Sequence, residues 1–181
     1  MSDLPHVQRL RALRACEEAV DWAATKPSWA AAWRECERGD WMLWLVGRLS
    51  GKRGSRSRRK VVLVAVECAR LVEHLDESGA ARACNDMTEG YTLGVPGVTL
   101  KDVRAAAAYA ATAAYAATAA ATAAAAAATA AAAAYAADAA AAARAAAARA
   151  AAYDATLREC ADIVRRHYPR PPRLPSEGAS K

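Results

Sequence analysis

From His6 to Ala24 the apolar positions Val7, Leu10, Leu13, Ala19 or Val20, and Trp22 or Ala23 recur three and four residues apart, the spacing of one helix face. Pro27 interrupts that pattern, and Ser28 is placed to cap a second helix carrying Trp29 and Trp33 one turn apart. Gly39, having no Cβ, suits the left-handed position that ends this helix. Asp40 then caps a third helix, Trp41–Leu49, in which Trp41, Trp44, Leu45 and Leu49 share a broad face. Ser50–Ser57 holds two glycines and three serines among basic residues and reads as a mobile loop. Helical spacing resumes over Val61–Leu75, through Val61, Val64 or Ala65, Cys68, Leu71 or Val72, and Leu75. A further helix is expected over Glu77–Glu89, then a break across Gly90–Gly97, which includes Pro96. Thr99 opens the next helix, with Asp102 three residues on, as a capping box requires.

The pattern then gives way to alanine. Residues 105–152 contain 38 alanines in 48 positions, and no Gly or Pro falls between Thr99 and His167. Alanine has the highest helix propensity, so the reading is a very long Ala-rich C-terminal helix, with an Ala-rich helical hairpin as the alternative. Unbroken from 99 to 167, it would reach roughly 100 Å. It should end at Tyr168, because Pro169, Pro171 and Pro172 cannot continue it. The expected organisation is a Trp-rich helical body at 1–104, an Ala-rich arm at 105–152, a helix end at 153–168 and a disordered Pro-rich tail at 169–181. The 33 uncharged residues from 105 to 137 are long enough to span a bilayer, but they include no Leu, Ile, Phe or Val to supply insertion energy, so no membrane span is expected. Thr118 and Thr129 are eleven residues apart with Thr122 close to their face, an ice-binding spacing that occurs only once. Tyr135 and Tyr153 share a side and could anchor the arm on the body or on a second copy, whereas Tyr109 and Tyr115 point elsewhere.

Composition changes the picture in three ways. Of 181 residues 54 are alanine, Phe is absent and Ile occurs once, which argues against a sheet and for an all-α bundle of short helices. The net charge of +6 is local: Arg48, Lys52, Arg53, Arg56, Arg58, Arg59 and Lys60 fall within thirteen positions without an acid, leaving the rest of the chain at −1. Five scattered cysteines without a CxxC, behind a polar opening stretch, fit reduced, buried thiols in the cytoplasm. His6, His74 and His167 make no cluster with them, so neither a metal site nor a cofactor is expected.

All five tryptophans lie between Trp22 and Trp44. Trp22, Trp33, Gly39, Asp40, Trp41 and Trp44 read as a structural core motif, the alternative being one or two indoles exposed for a protein partner. Cys36 sits beside Glu37, Arg38 and Asp40 without a local base, and an Asp40–Arg38 pair explains the charges without catalysis. No P-loop, dinucleotide, HExxH or GxSxG motif is present, and no enzyme is expected. Arg53, Arg56, Arg58, Arg59 and Lys60 are the candidate partner-binding residues, suited to steering an acidic protein. Nucleic acid ranks lower as a partner, since no aromatic is interleaved for base stacking.

Four stretches carry a family resemblance: Ala15–Ala23, Ala32–Leu45 with its run Gly39-Asp40-Trp41-Met42-Leu43-Trp44-Leu45, Glu67–Arg70 and Ala161–Pro169. Together they resemble the Imm5-like immunity protein family of bacterial polymorphic toxin systems. The resemblance implies an all-α, non-enzymatic protein that binds and blocks a cognate toxin, and it brings no set of functional residues. A structural protein that self-assembles through the Ala-rich helix is the alternative.

Overall fold

The structure, a computed structural model, describes residues 4–52, 55–113 and 136–175, with backbone alone for 136–146 and 149. The chain is all-α: every regular element among these residues is helical. They are α1 (Pro5–Ala12), α2 (Glu17–Ala24), α3 (Trp29–Glu35), α4 (Gly39–Leu49), α5 (Arg56–Arg70), a 3-10 turn at Glu73–Leu75, α6 (Ala80–Leu93), α7 (100–113) and α8 (Ala136–His167). The choice between one long helix and a hairpin falls on residues 114–135, outside the described residues, as do Tyr115, Tyr135 and the threonines Thr118, Thr122 and Thr129.

The chain divides into two compact units, Met1–Ala65 with Leu157–Lys181, and Val66–Thr156. The first has a core drawn from many elements: Val7 and Leu10 of α1, Val20 of α2, Trp33 of α3, Met42, Leu45 and Val46 of α4, Val61 and Val64 of α5, and Leu157, Ile163 and Val164 of α8. Each large side chain so buried contributes about 1.5–3 kcal/mol against the entropy of ordering the chain. In the second unit Glu73 is buried and accepts from Asn85 Nδ2 at 3.1 Å and Arg82 Nε at 2.8 Å, while Arg70 reaches Glu73, Asp86 and Glu89.

Several sequence signals act as expected. Ser28 Oγ accepts from the Ala31 N–H at 3.1 Å and caps α3. Thr99 and Asp102 form the capping box, the Thr99 N–H donating to Asp102 Oδ2 at 2.8 Å. The next helix differs from the expected Glu77–Glu89: α6 runs Ala80–Leu93, through Gly90, and Gly94 ends it at φ +79°, with the Val95 N–H closing on the Gly90 carbonyl at 2.9 Å.

Other expectations are corrected. The run from His6 to Ala24 is two helices, because Arg14 takes φ +63° and the Ala15 N–H bonds to the Leu10 carbonyl at 3.0 Å, a helix stop built without glycine. Gly39 is not the end of α3, which stops at Glu35; it is the first residue of α4. Its missing side chain serves proximity, since a Cβ there would lie 2.7 Å from the Ala161 nitrogen of α8. Asp40 is therefore inside the first turn of α4 rather than its cap, where its negative charge favours the helix N-terminus. The apolar stripe of α5 ends at Cys68, and Leu75 is 71% exposed. Residues 169–175 are not a disordered tail: Leu174 is buried, and the Pro172 carbonyl accepts from Trp29 Nε1 at 2.9 Å. Residues 176–181 lie outside the described residues. Among the cysteines only Cys36 and Cys68 are buried, and Cys16 is exposed. Tyr153 is 61% exposed, so it does not anchor α8 on the body.

Candidate functional site

Among the described residues of the basic cluster, Arg48 is in α4 and Arg56, Arg58, Arg59 and Lys60 are in α5, and only Lys52 lies outside a helix. Helix α5 begins at Arg56, capped by Ser55, whose Oγ accepts from the Arg58 N–H at 3.2 Å. Ser57 Oγ in turn accepts from the Gly51 N–H at 3.1 Å. Arg56, Arg59 and Lys60 share one face of α5, at i, i+3 and i+4. Arg58 is turned away from them and donates from Nη1 to the Gly47 carbonyl, in the last turn of α4, at 2.9 Å. Lys60 Nζ donates to the His167 carbonyl at 2.7 Å and sits 4.5 Å from the Tyr168 ring centroid. Both cations thus meet carbonyls at the negative ends of neighbouring helices. Arg53 lies outside the described residues. Arg56 and Arg59 are exposed; on α4, Trp44, 41% exposed, precedes Arg48 by one turn.

The tryptophans are not a solid core either. Trp33 alone is buried, at 3% exposure, while Trp22, Trp29 and Trp41 are half-buried. Trp29 and Trp33 meet at 6.0 Å between ring centroids, and Trp41 pairs with Trp22 of α2 at 6.1 Å. Trp33 Nε1 donates to the Tyr168 carbonyl at 3.0 Å. All five indoles line a cavity of about 500 Å³. Left dry, an apolar space of that size would cost about 12 kcal/mol at ~24 cal/mol per Å³. Whole small domains are stable by only about 5–15 kcal/mol. The space is therefore an open site, reached by solvent, and not a packing defect.

Small residues make that room. Cys16, Ala19 and Ala23 lie on one side of α2, Ala15 just before it and Ala32 on α3, and each faces the cavity where a larger side chain would fill it. This alternation of alanine with tryptophan was the available sequence signal.

Three charged residues at the cavity, Arg38, Asp40 and Lys26, are paired. Arg38 forks onto Asp40, at 2.9 Å from Nε to Oδ1 and 2.7 Å from Nη2 to Oδ2, and lies 4.3 Å from the Trp41 ring. Burial pushes the Asp40 carboxyl up, but the Arg38 bonds outweigh it and hold the group below the usual carboxylate range. Lys26 lies 4.9 Å from the Trp22 ring and pairs with Glu35 at 3.2 Å. Burial raises the Cys36 thiol, keeping it protonated and a poor nucleophile. His6 is buried with Nε2 3.1 Å from the Ala23 carbonyl.

Sequence reasoning missed the clamp that closes this unit. Arg165 of α8 donates from Nη1 to the Cys36 carbonyl at 2.5 Å and from Nη2 to Asp162 Oδ1 at 2.6 Å. It holds the connection between α3 and α4 against a helix more than a hundred residues later in the chain. Among the described residues no group of three His, Cys, Asp or Glu could hold a metal ion, and no helix is long and apolar enough to cross a membrane. Comparison of the chain with family models, with curated proteins and with solved structures finds no match.

Proposed function

We propose that the chain is a non-enzymatic cytoplasmic binding protein, an immunity protein that neutralises a toxin by stoichiometric capture. The observation that carries the reading is the corner between α4 and α5. There an exposed indole, Trp44, stands one turn from Arg48, and Arg58 fixes the start of α5 to the end of α4, leaving Arg56 and Arg59 exposed on another side of α5. Tryptophan and arginine are the residues most enriched where binding energy concentrates, and a positive rim speeds the approach of an acidic partner. Supporting it further, the stretches Ala32–Leu45 and Ala161–Pro169, which carry the family resemblance, pack together through Arg165 and Trp33.

The test is calorimetry with the toxin encoded beside this gene. A one-to-one complex is expected, weakened roughly thirtyfold by Trp44→Ala, about 2 kcal/mol. Reversing Arg56 and Arg59 to Glu should slow association mainly at low salt. Absence of binding, or a Trp44→Ala variant of unchanged affinity, refutes the reading. Self-assembly through the Ala-rich tract, as one long helix or a hairpin, is a second reading, favoured by the exposed rings of Tyr109 and Tyr153. Light scattering that shows a concentration-independent monomer removes it.

A further inference from the structure

We propose that the tryptophan-lined cavity is itself a binding site for a small, uncharged, planar apolar molecule, about two or three fused or linked aromatic rings in size. The volume, about 500 Å³, is that of a site for such a ligand, and the lining has the expected chemistry: aromatic and aliphatic surface with few polar groups. Met42, Leu45 and Leu10 supply the aliphatic part beside the indoles.

Charge decides the ligand class. The lining carries two arginines, Arg14 and Arg38, and two carboxylates, Glu18 and Asp40, so it has no net sign. Arg38 is committed to Asp40 by two hydrogen bonds and would have to give up both to meet an anionic ligand. A cationic ligand would seek the face of an indole, but Arg38 already covers Trp41 and Lys26 already covers Trp22. What remains, beside Arg14 and Glu18 whose charges are opposite, is apolar ring surface, which stacks best with another flat, neutral ring.

The inference does not rest on the toxin-binding reading, and its test uses no protein partner. Because every tryptophan of the chain lines the cavity, the intrinsic emission of the full chain reports occupancy directly. Titration with N-phenyl-1-naphthylamine, a neutral probe, should quench that emission saturably with one molecule per chain. Its sulfonated analogue, 8-anilinonaphthalene-1-sulfonate, has the same rings plus a charge and should bind at least tenfold more weakly. Ala19→Phe fills the cavity from α2 and should lower affinity for the neutral probe at least tenfold while the circular dichroism stays helical. If that variant does not fold, Ala15→Leu fills the same space more gently. Unsaturable quenching, a sulfonated probe that binds as well as the neutral one, or a folded cavity-filling variant with undiminished affinity would each overturn the proposal.

Discussion

At the scale of single residues, two backbone positions carry opposite lessons. Arg14 holds a left-handed conformation, φ +63°, that costs a non-glycine residue roughly 1–2 kcal/mol. Arg14→Gly should therefore stabilise the chain by about 0.5–1 kcal/mol once the extra freedom of glycine in the unfolded chain is subtracted, measurable by urea denaturation. Gly39 is the reverse case. A methyl group there would collide with the backbone of α8 at Ala161, so Gly39→Ala should destabilise by about 1–3 kcal/mol in the same assay, the usual cost of overpacking. Equal stability of Gly39→Ala and the unmodified chain would contradict the close approach of α4 and α8.

Among the elements, those whose ends are set by local chemistry were legible in the sequence. Ser28 before α3 and Thr99 with Asp102 at α7 act through side-chain bonds within a few positions, whereas the break expected from Gly90 begins only at Gly94. The split between α1 and α2 was not legible, because a left-handed arginine leaves no mark in the residue pattern. Helix α5 was placed too late, since Ser55 was read as one of several loop serines instead of a cap. The tail at 169–175 was misread for a related reason: its order comes from Trp29, far away in sequence, which donates to Pro172. The connection into α6 offers a pH test. Asn85 first, then Arg82 and Arg70, hold the Glu73 carboxyl below its ordinary value. A lowered folded-state pKa stabilises fully above the unfolded value of ~4.3, and that contribution is lost as pH falls through the folded value. Glu73→Gln should melt below the unmodified chain at pH 7, and the gap should narrow steadily as pH falls below ~4.3; a gap that does not shrink with falling pH would count against the charge as its cause.

Across the whole molecule, sequence reading recovered an all-helical chain, but it took an aromatic cluster for a filled core. The difference lies in pairing across distance: Arg165 and Tyr168 return from α8 and its end to hold α3 and the approach to α4, and small residues on α2 and α3 leave the indoles facing open space. Both the proposed partner-binding corner and the proposed ligand site depend on that openness. The most direct measurement is fluorine NMR of the chain labelled with 5-fluorotryptophan, comparing chemical shifts in ordinary and heavy water. Four of the five resonances should show a solvent isotope shift, largest for Trp44, with Trp33 alone unresponsive. Five unresponsive resonances would mean a closed aromatic core and would contradict the account.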